Sequence, residues 1–299
     1  MKDLFLSVPG GGVRGALTVR PLLRLEKQTG KLCRDIFKGV AGTSTGSDLA
    51  AAIAAGIPCE QIAAMYREDT PHIFNHSAPV ATGYLLERGY KYDIQNLYRV
   101  LSKRLGSAAD EPINAFATLL LITARGVDGH QWYFTQDRPT NSSRTGKVSV
   151  IDACCASSAA PTYFQEYDVP GIGCCVDGGV GVAGNPVYEL AVEAFEYAGF
   201  QPQSSAIVSI GTGRNPLGSQ APEHNLIAKL GWIISMLLEA PEAQAPELLR
   251  RQYPQVRFFD FDIDLKSKIA MDQAANVPEL EQYGEQLADG IHWDEILKA

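Results

Sequence analysis

The sequence lacks long hydrophobic runs, and it lacks an excess of positive charge. No stretch reaches the roughly 18–20 apolar residues that a membrane-spanning helix needs. The longest candidate, residues 226–240, falls short and carries Lys229, Ser235 and Glu239. Met1-Lys2-Asp3 ahead of a five-residue apolar run is too brief for a secretory signal. A cytosolic protein is therefore expected, with any membrane contact peripheral. Lys and Arg number 26 against 34 Asp and Glu, for a formal net charge of −8. That balance argues against a nucleic-acid polymer as partner, and it works against simple electrostatic attraction to anionic lipid. Zinc-type cysteine spacing is missing too: Cys33, Cys59, Cys154, Cys155, Cys174 and Cys175 contain no C-x-x-C. They read as reduced, buried thiols. None of the five histidines (His72, His76, His130, His224, His292) lies in a motif that marks it as catalytic.

What is present is ample material for a core, with 45% hydrophobic and 20% charged residues in 299. Residues 4–8 read as a short buried strand, followed by Gly10-Gly11-Gly12 and a helical stretch over 16–28. Residues 37–41 read as a second short strand, followed by Gly42–Gly46 and an alanine-rich run over 49–55 that favours helix. Two strand–glycine turn–helix units in succession predict an α/β fold with a mainly parallel sheet flanked by helices. Further strands are expected over 117–123, 131–135, 173–176, 206–210 and 256–263, and helices over 151–159, 186–198, 226–238 and 278–287. Residues 137–146 and 213–223 read as loops, the first of them exposed. With no repeat and no linker, 1–299 reads as one domain, of which 225–299 is the less recognisable part.

Gly42-Thr43-Ser44-Thr45-Gly46 is a G-x-S-x-G placed between a strand and a helix, the context a nucleophile elbow requires. The serine must sit in a tight turn with its hydroxyl above the sheet, so small residues must flank it. Gly10-Gly11-Gly12-Val13-Arg14-Gly15 also follows a strand and opens a helix. Its unobstructed N–H groups suit an oxyanion hole. The same loop matches G-x-G-x-x-G through Gly10, Gly12 and Gly15, with Glu26 or Asp35 as a ribose ligand, the dinucleotide reading. It also fits a plain glycine-rich turn. Arg14 is the one cation expected near the site. A serine hydroxyl needs a base, and besides the histidines the candidate is Asp177, followed by Gly178-Gly179 at the end of a strand. Taken alone, Asp-Gly-Gly is equally a common turn.

The glycine loop, the serine elbow and Asp177-Gly178-Gly179 occur in the order and spacing of the patatin-like phospholipases, which this chain resembles. Ala156-Ser157-Ser158-Ala159-Ala160-Pro161 looks like that family's A-S-x-A-A-P block, Ser209-Ile210-Gly211-Thr212-Gly213 is similar to its S-L-G-T-G block, and Asn185-Pro186 matches the N-P after its D-G-G. The resemblance covers residues 4–213. It implies a three-layer α/β/α fold and a lipid acyl hydrolase of the phospholipase A or lysophospholipase type. It implies a Ser44–Asp177 dyad without histidine, an acyl-enzyme on Ser44, oxyanion donors from residues 10–15, and no metal or other cofactor. A carboxylate acting as base near neutral pH needs a raised pKa, so Asp177 is expected to be partly buried. One departure concerns the elbow: the family usually continues with glycine, whereas here Ser47 and Asp48 follow.

Residues 226–238 place Leu226, Leu230, Ile233 and Leu237 on one helical face, which suits either a core helix or a lipid-contacting lid. Three alternatives to the dyad hydrolase stay open. One is a Ser–Asp–His esterase using His224 or His292. Another is a nucleotide-binding module. The third is an effector that waits for a small-molecule or protein activator.

Overall fold

A computed structural model describes residues 3–75, 87–141, 144–216 and 244–298. The helix expected over 226–238, together with His76 and His224, lies outside them.

Eight strands form one sheet: β1 (Asp3–Val8), β2 (Gly39–Gly42), β3 (Leu119–Gly126), β4 (Gln131–Thr135), β5 (Tyr167–Val169), β6 (Gly173–Asp177), β7 (Ser205–Ile210) and β8 (Arg257–Phe261). β3, β2, β1, β7 and β8 are parallel neighbours in that order. β4, β5 and β6 add an antiparallel flank. The sheet is therefore mainly parallel, as expected, but mixed at one side. β1 shows why the parallel strands read as unbroken apolar runs: Leu4, Leu6 and Val8 pack into one core, while Phe5 packs into another across the sheet. A strand covered on both faces has no solvent side to show as an alternation.

The helices are α1 (Gly15–Thr29), α2 (Cys33–Ile36), α3 (Thr45–Ala55), α4 (Cys59–Ile73), α5 (Ile94–Leu105), α6 (Val150–Ser157), α7 (Val187–Val192), α8 (Gln244–Gln252), α9 (Val277–Asp289) and α10 (Trp293–Lys298). Leu17 and Leu22 of α1, Leu49 of α3 and Leu101 of α5 join the core of Leu6 and Val8. Leu190 of α7 and Leu249 of α8 join that of Phe5 and Ile207. Helices thus cover both faces, which makes the three layers. The helix expected over 186–198 starts as α7 and continues as a π turn over Glu193–Tyr197.

The segment 137–146 is less exposed than its composition suggests. Asn141 is buried and donates to Glu193 Oε1 at 3.1 Å. Thr145 is buried and bridges to Tyr133. The less recognisable C-terminal part is built into the fold: β8 extends the sheet and α9 packs along α1. There Gly284 sits so close to the Leu17 carbonyl that a Cβ would come within 2.4 Å. Arg20 and Arg24 pair with Glu285 across that contact. No helix among the described residues is long and apolar enough to cross a membrane.

Candidate active site

The site forms where two strands end facing each other. β3 pairs with β2 through residues 119–122 and with β6 through residues 124–126, while β4 covers residues 121–125. A strand has two edges, so β2 and β6 must lie end to end on the edge opposite β4. β2 is parallel to β3 and β6 is antiparallel to it, so their C-terminal ends meet. Gly42 pairs with Ile122 and Asp177 with Ala124, only two residues further along the same strand. The elbow after Gly42 and the carboxylate of Asp177 are brought together by backbone register before any side chain is considered.

The elbow itself is tight. A Cβ on Gly42 would lie 2.0 Å from the Gly46 carbonyl oxygen, and one on Gly46 would lie 2.1 Å from that of Val8. No side chain fits at either position, which is why both are glycine. Ser44 takes φ 55° and ψ −130°, a conformation that non-glycine residues rarely adopt. Its neighbours over-determine it. The Ser44 N–H donates to Ser157 Oγ at 2.8 Å, and the Ser44 carbonyl accepts from Ser47 N–H at 2.8 Å and Ser47 Oγ at 2.6 Å. Thr43 Oγ1 donates to the Ala183 carbonyl at 2.6 Å and pairs with Thr123 Oγ1 at 2.7 Å.

Asp177 is 2% exposed and Ser44 is 7% exposed. The Ser44 side chain lies beside the Asp177 carboxyl and favours its ionised form. Asp177 Oδ1 accepts from Gly179 N–H at 2.8 Å. Burial pushes Asp177 up to about 6, the Gly179 bond and the Ser44 side chain pulling the other way. The Asp177 N–H and the Gly178 N–H are held by the carbonyls of Ala159 and Ser157. The A-S-x-A-A-P block therefore supports both halves of the pair. Asn185 ties β1 to β7, accepting from Ser7 Oγ at 2.9 Å and donating to Ser209 Oγ at 3.0 Å.

In the glycine loop, most backbone donors are already engaged. Gly10 N–H donates to Gly184, Val13 N–H to Met271, and Arg14 N–H to Gly11. Gly15 N–H turns back to Gly12 and Val13. The N–H groups of Gly11 and Gly12 have no partner among the described residues. The Gly10 carbonyl accepts from Thr212 Oγ1 at 2.7 Å, so the S-I-G-T-G block braces this loop. Arg14 is buried at the entry to α1. The dinucleotide reading fits poorly. Both Glu26 carboxylate oxygens accept backbone N–H groups, from Cys33 and Cys59 at 2.8 Å each. Asp35 precedes β2, at the end of the strand away from the elbow. A Cβ on Gly12 would meet the Met271 carbonyl at 2.3 Å, so chain rather than open space covers the loop.

Beside Ser44 opens a cleft walled by Met65, Ile73, Phe74, Leu97, Phe164 and Met271 among others. This apolar slot suits a hydrocarbon chain. No histidine among the described residues lines it, and His72, His130 and His292 are all exposed. Two of its residues carry no sequence signal that marks them for the site. Met271 comes from the stretch after β8, anchored next door where Asp272 accepts from Tyr92 at 3.0 Å and pairs with Lys91 at 3.3 Å. Tyr66 of α4 binds Thr45 of the elbow through its hydroxyl.

The family model for patatin-like phospholipases matches residues 6–191. The chain is 32% identical to the cGAMP-activated phospholipase of Vibrio cholerae over 205 residues, 64% of this chain and 57% of that protein. It is 28% identical to human calcium-independent phospholipase A2-gamma over 285 residues, 91% of this chain and 36% of that protein. It is also 27% identical to the cGAMP-activated phospholipase of Pseudomonas aeruginosa, over 93% of this chain and 82% of that protein. The chain thus spans little more than half of the first relative and about a third of the second. Human GIVD cytosolic phospholipase A2, solved with methyl gamma-linolenyl fluorophosphonate, superposes with a TM-score of 0.42 at 13% identity, covering 99% of this chain and 58% of that one.

Proposed function

The chain belongs to the patatin-like phospholipase family, and from that premise we propose that it is a lipid acyl hydrolase working through a Ser44–Asp177 dyad. The observation that carries this is a strained serine brought by backbone register beside a buried carboxyl, at the mouth of an apolar cleft. Ser44 Oγ attacks the acyl carbonyl as its proton passes to Asp177. The oxyanion takes hydrogen bonds from the N–H groups of Gly11 and Gly12, the two donors of the loop left without a protein partner among the described residues. Collapse breaks the ester bond, and the departing alcohol takes the proton from Asp177. Water then attacks the acyl-enzyme, giving its proton to Asp177, and the fatty acid leaves as that proton returns to Ser44. The atoms and protons balance with no metal or other cofactor. Gly42, Thr43, Thr45, Gly46, Gly178 and Gly179 support this geometry, while Val13, Arg14 and Gly15 shape the loop. The substrate is a phospholipid or related acyl ester, met at a membrane surface without insertion of a spanning helix.

The test is fatty-acid release from phosphatidylcholine vesicles by the protein and by Ser44→Ala. Release that persists in the variant contradicts the reading. The pH profile adds a sharper expectation. Only ionised Asp177 can accept the serine proton, so kcat/KM should fall as pH drops through about 6. An unperturbed aspartate would put that limb near 4. A limb near 4 in the measured profile would mean a base other than this buried carboxyl.

A second reading concerns control. Two relatives are named cGAMP-activated phospholipases, which favours an effector that needs a small-molecule activator. Vesicle hydrolysis with and without added cGAMP separates a constitutive enzyme from an activated one.

A further inference from the structure

Two polar groups of the mostly apolar cleft stand apart from the rest. Asp48 lies on α3 one helical turn beyond Ser44, is 6% exposed, and lines the cleft. Its Oδ1 is sealed from solvent with no hydrogen-bond partner among the described residues. Ser158 Oγ, on the same cleft, is in the same condition. The polar groups nearby are already engaged: Tyr66 hydroxyl with Thr45, and Thr70 hydroxyl with the Tyr66 carbonyl at 2.6 Å. Leaving a buried carboxyl oxygen unpaired is costly. A hydrocarbon pocket gains nothing from one, since leucine would fill the space at less cost.

We propose that Asp48 is a specificity residue: it reads a neutral oxygen substituent, hydroxyl or keto, on the acyl chain a few carbons from the ester carbonyl. This rests on the acyl-hydrolase reading above. The position follows from the helix, since four residues of rise separate Asp48 from Ser44 by about 6 Å. The neutral character follows from the surroundings. Burial, and then the charge of Asp177, push the Asp48 carboxyl well above the usual range, which favours its protonated form, able both to donate and to accept. A cationic group would have to be desolvated in the same apolar slot, which is costly. It would also sit near the positive end of α3. Ser158 offers a second hydroxyl on the same wall. The sequence departs from the family's usual glycine just before this residue, at Ser47, so the first turn of the elbow helix is where this chain differs.

Binding decides the proposal independently of turnover. Medium-chain fatty amides, plain and hydroxylated at successive carbons, are titrated calorimetrically into Ser44→Ala. One hydroxylated isomer should bind about tenfold tighter than the plain amide. The preference should vanish in Ser44→Ala/Asp48→Leu and largely survive in Ser44→Ala/Asp48→Asn, which keeps a donor and an acceptor. Should the leucine variant not fold, Ser44→Ala/Asp48→Ala serves in its place. No preference for any isomer in Ser44→Ala, or a preference that survives removal of the carboxyl, overturns the assignment. Parallel vesicle assays keep the two readings apart. Absent hydrolysis counts against the lipase reading, while the amide titration still decides for or against Asp48.

Discussion

Asp177→Asn should lower kcat/KM for an acyl ester by about 10³-fold or more while making the protein more stable. The loss follows from removing the buried carboxyl that lies beside the Ser44 side chain; general-base contributions alone amount to about 10²–10⁴. The gain follows from the same burial. With a folded pKa of about 6 and an unfolded value near 3.9, the folded state holds its proton more tightly than the unfolded one. The neutral form is therefore favoured in the fold, and stability falls as pH rises from about 4 through 6 and the buried carboxyl ionises. Asparagine cannot ionise. The variant should melt a few degrees above the parent at pH 7.5, by about 3 kcal/mol, and match it near pH 4. Scanning calorimetry at the two pH values checks this. A variant less stable than the parent at pH 7.5 would mean that Asp177 is there to hold the fold.

The second large effect belongs to Ser44. Ser44→Ala and Ser44→Gly should each abolish turnover, by about 10⁴-fold or more, but they should differ in stability. The backbone at φ 55° and ψ −130° is held in place by Ser157 and Ser47. Such a conformation costs about 1–3 kcal/mol for a residue with a Cβ. Alanine keeps that cost; glycine largely escapes it. Ser44→Gly should therefore be about 1 kcal/mol more stable than Ser44→Ala, a difference visible in parallel melts. Equal melting points would mean the elbow is not strained.

Much of this was legible in the sequence, for a physical reason. Parallel strands buried on both faces leave uninterrupted apolar runs, so residues 4–8 and 206–210 announced β1 and β7. The two elbow glycines are demanded by sub-van-der-Waals approaches that no other residue meets, so they leave a local signature. β5 was not foreseen, being three residues long with Asp168 exposed at its centre. Nor were α4 and α5, whose apolar positions are spread among charged ones over long stretches. What the sequence could not carry was the meeting of distant pieces. Ser157 is legible as part of a block, but its bond to the Ser44 N–H exists only because α6 ends beside the elbow. Met271 sits in a stretch with no motif and reaches the glycine loop through a backbone bond to Val13. Asp48 looked like an ordinary acidic residue in a first helical turn; only its burial in the cleft sets it apart.

The most direct test of the dyad is intact-mass analysis after exposure to an alkyl fluorophosphonate, on the parent protein, Ser44→Ala and Asp177→Asn. One adduct should form on the parent and map to Ser44, none should form on Ser44→Ala, and Asp177→Asn should react slower by about 10²-fold or more. An adduct on Ser44→Ala, or labelling of Asp177→Asn at the parent's rate, would contradict the assignment of Ser44 as nucleophile and Asp177 as its base.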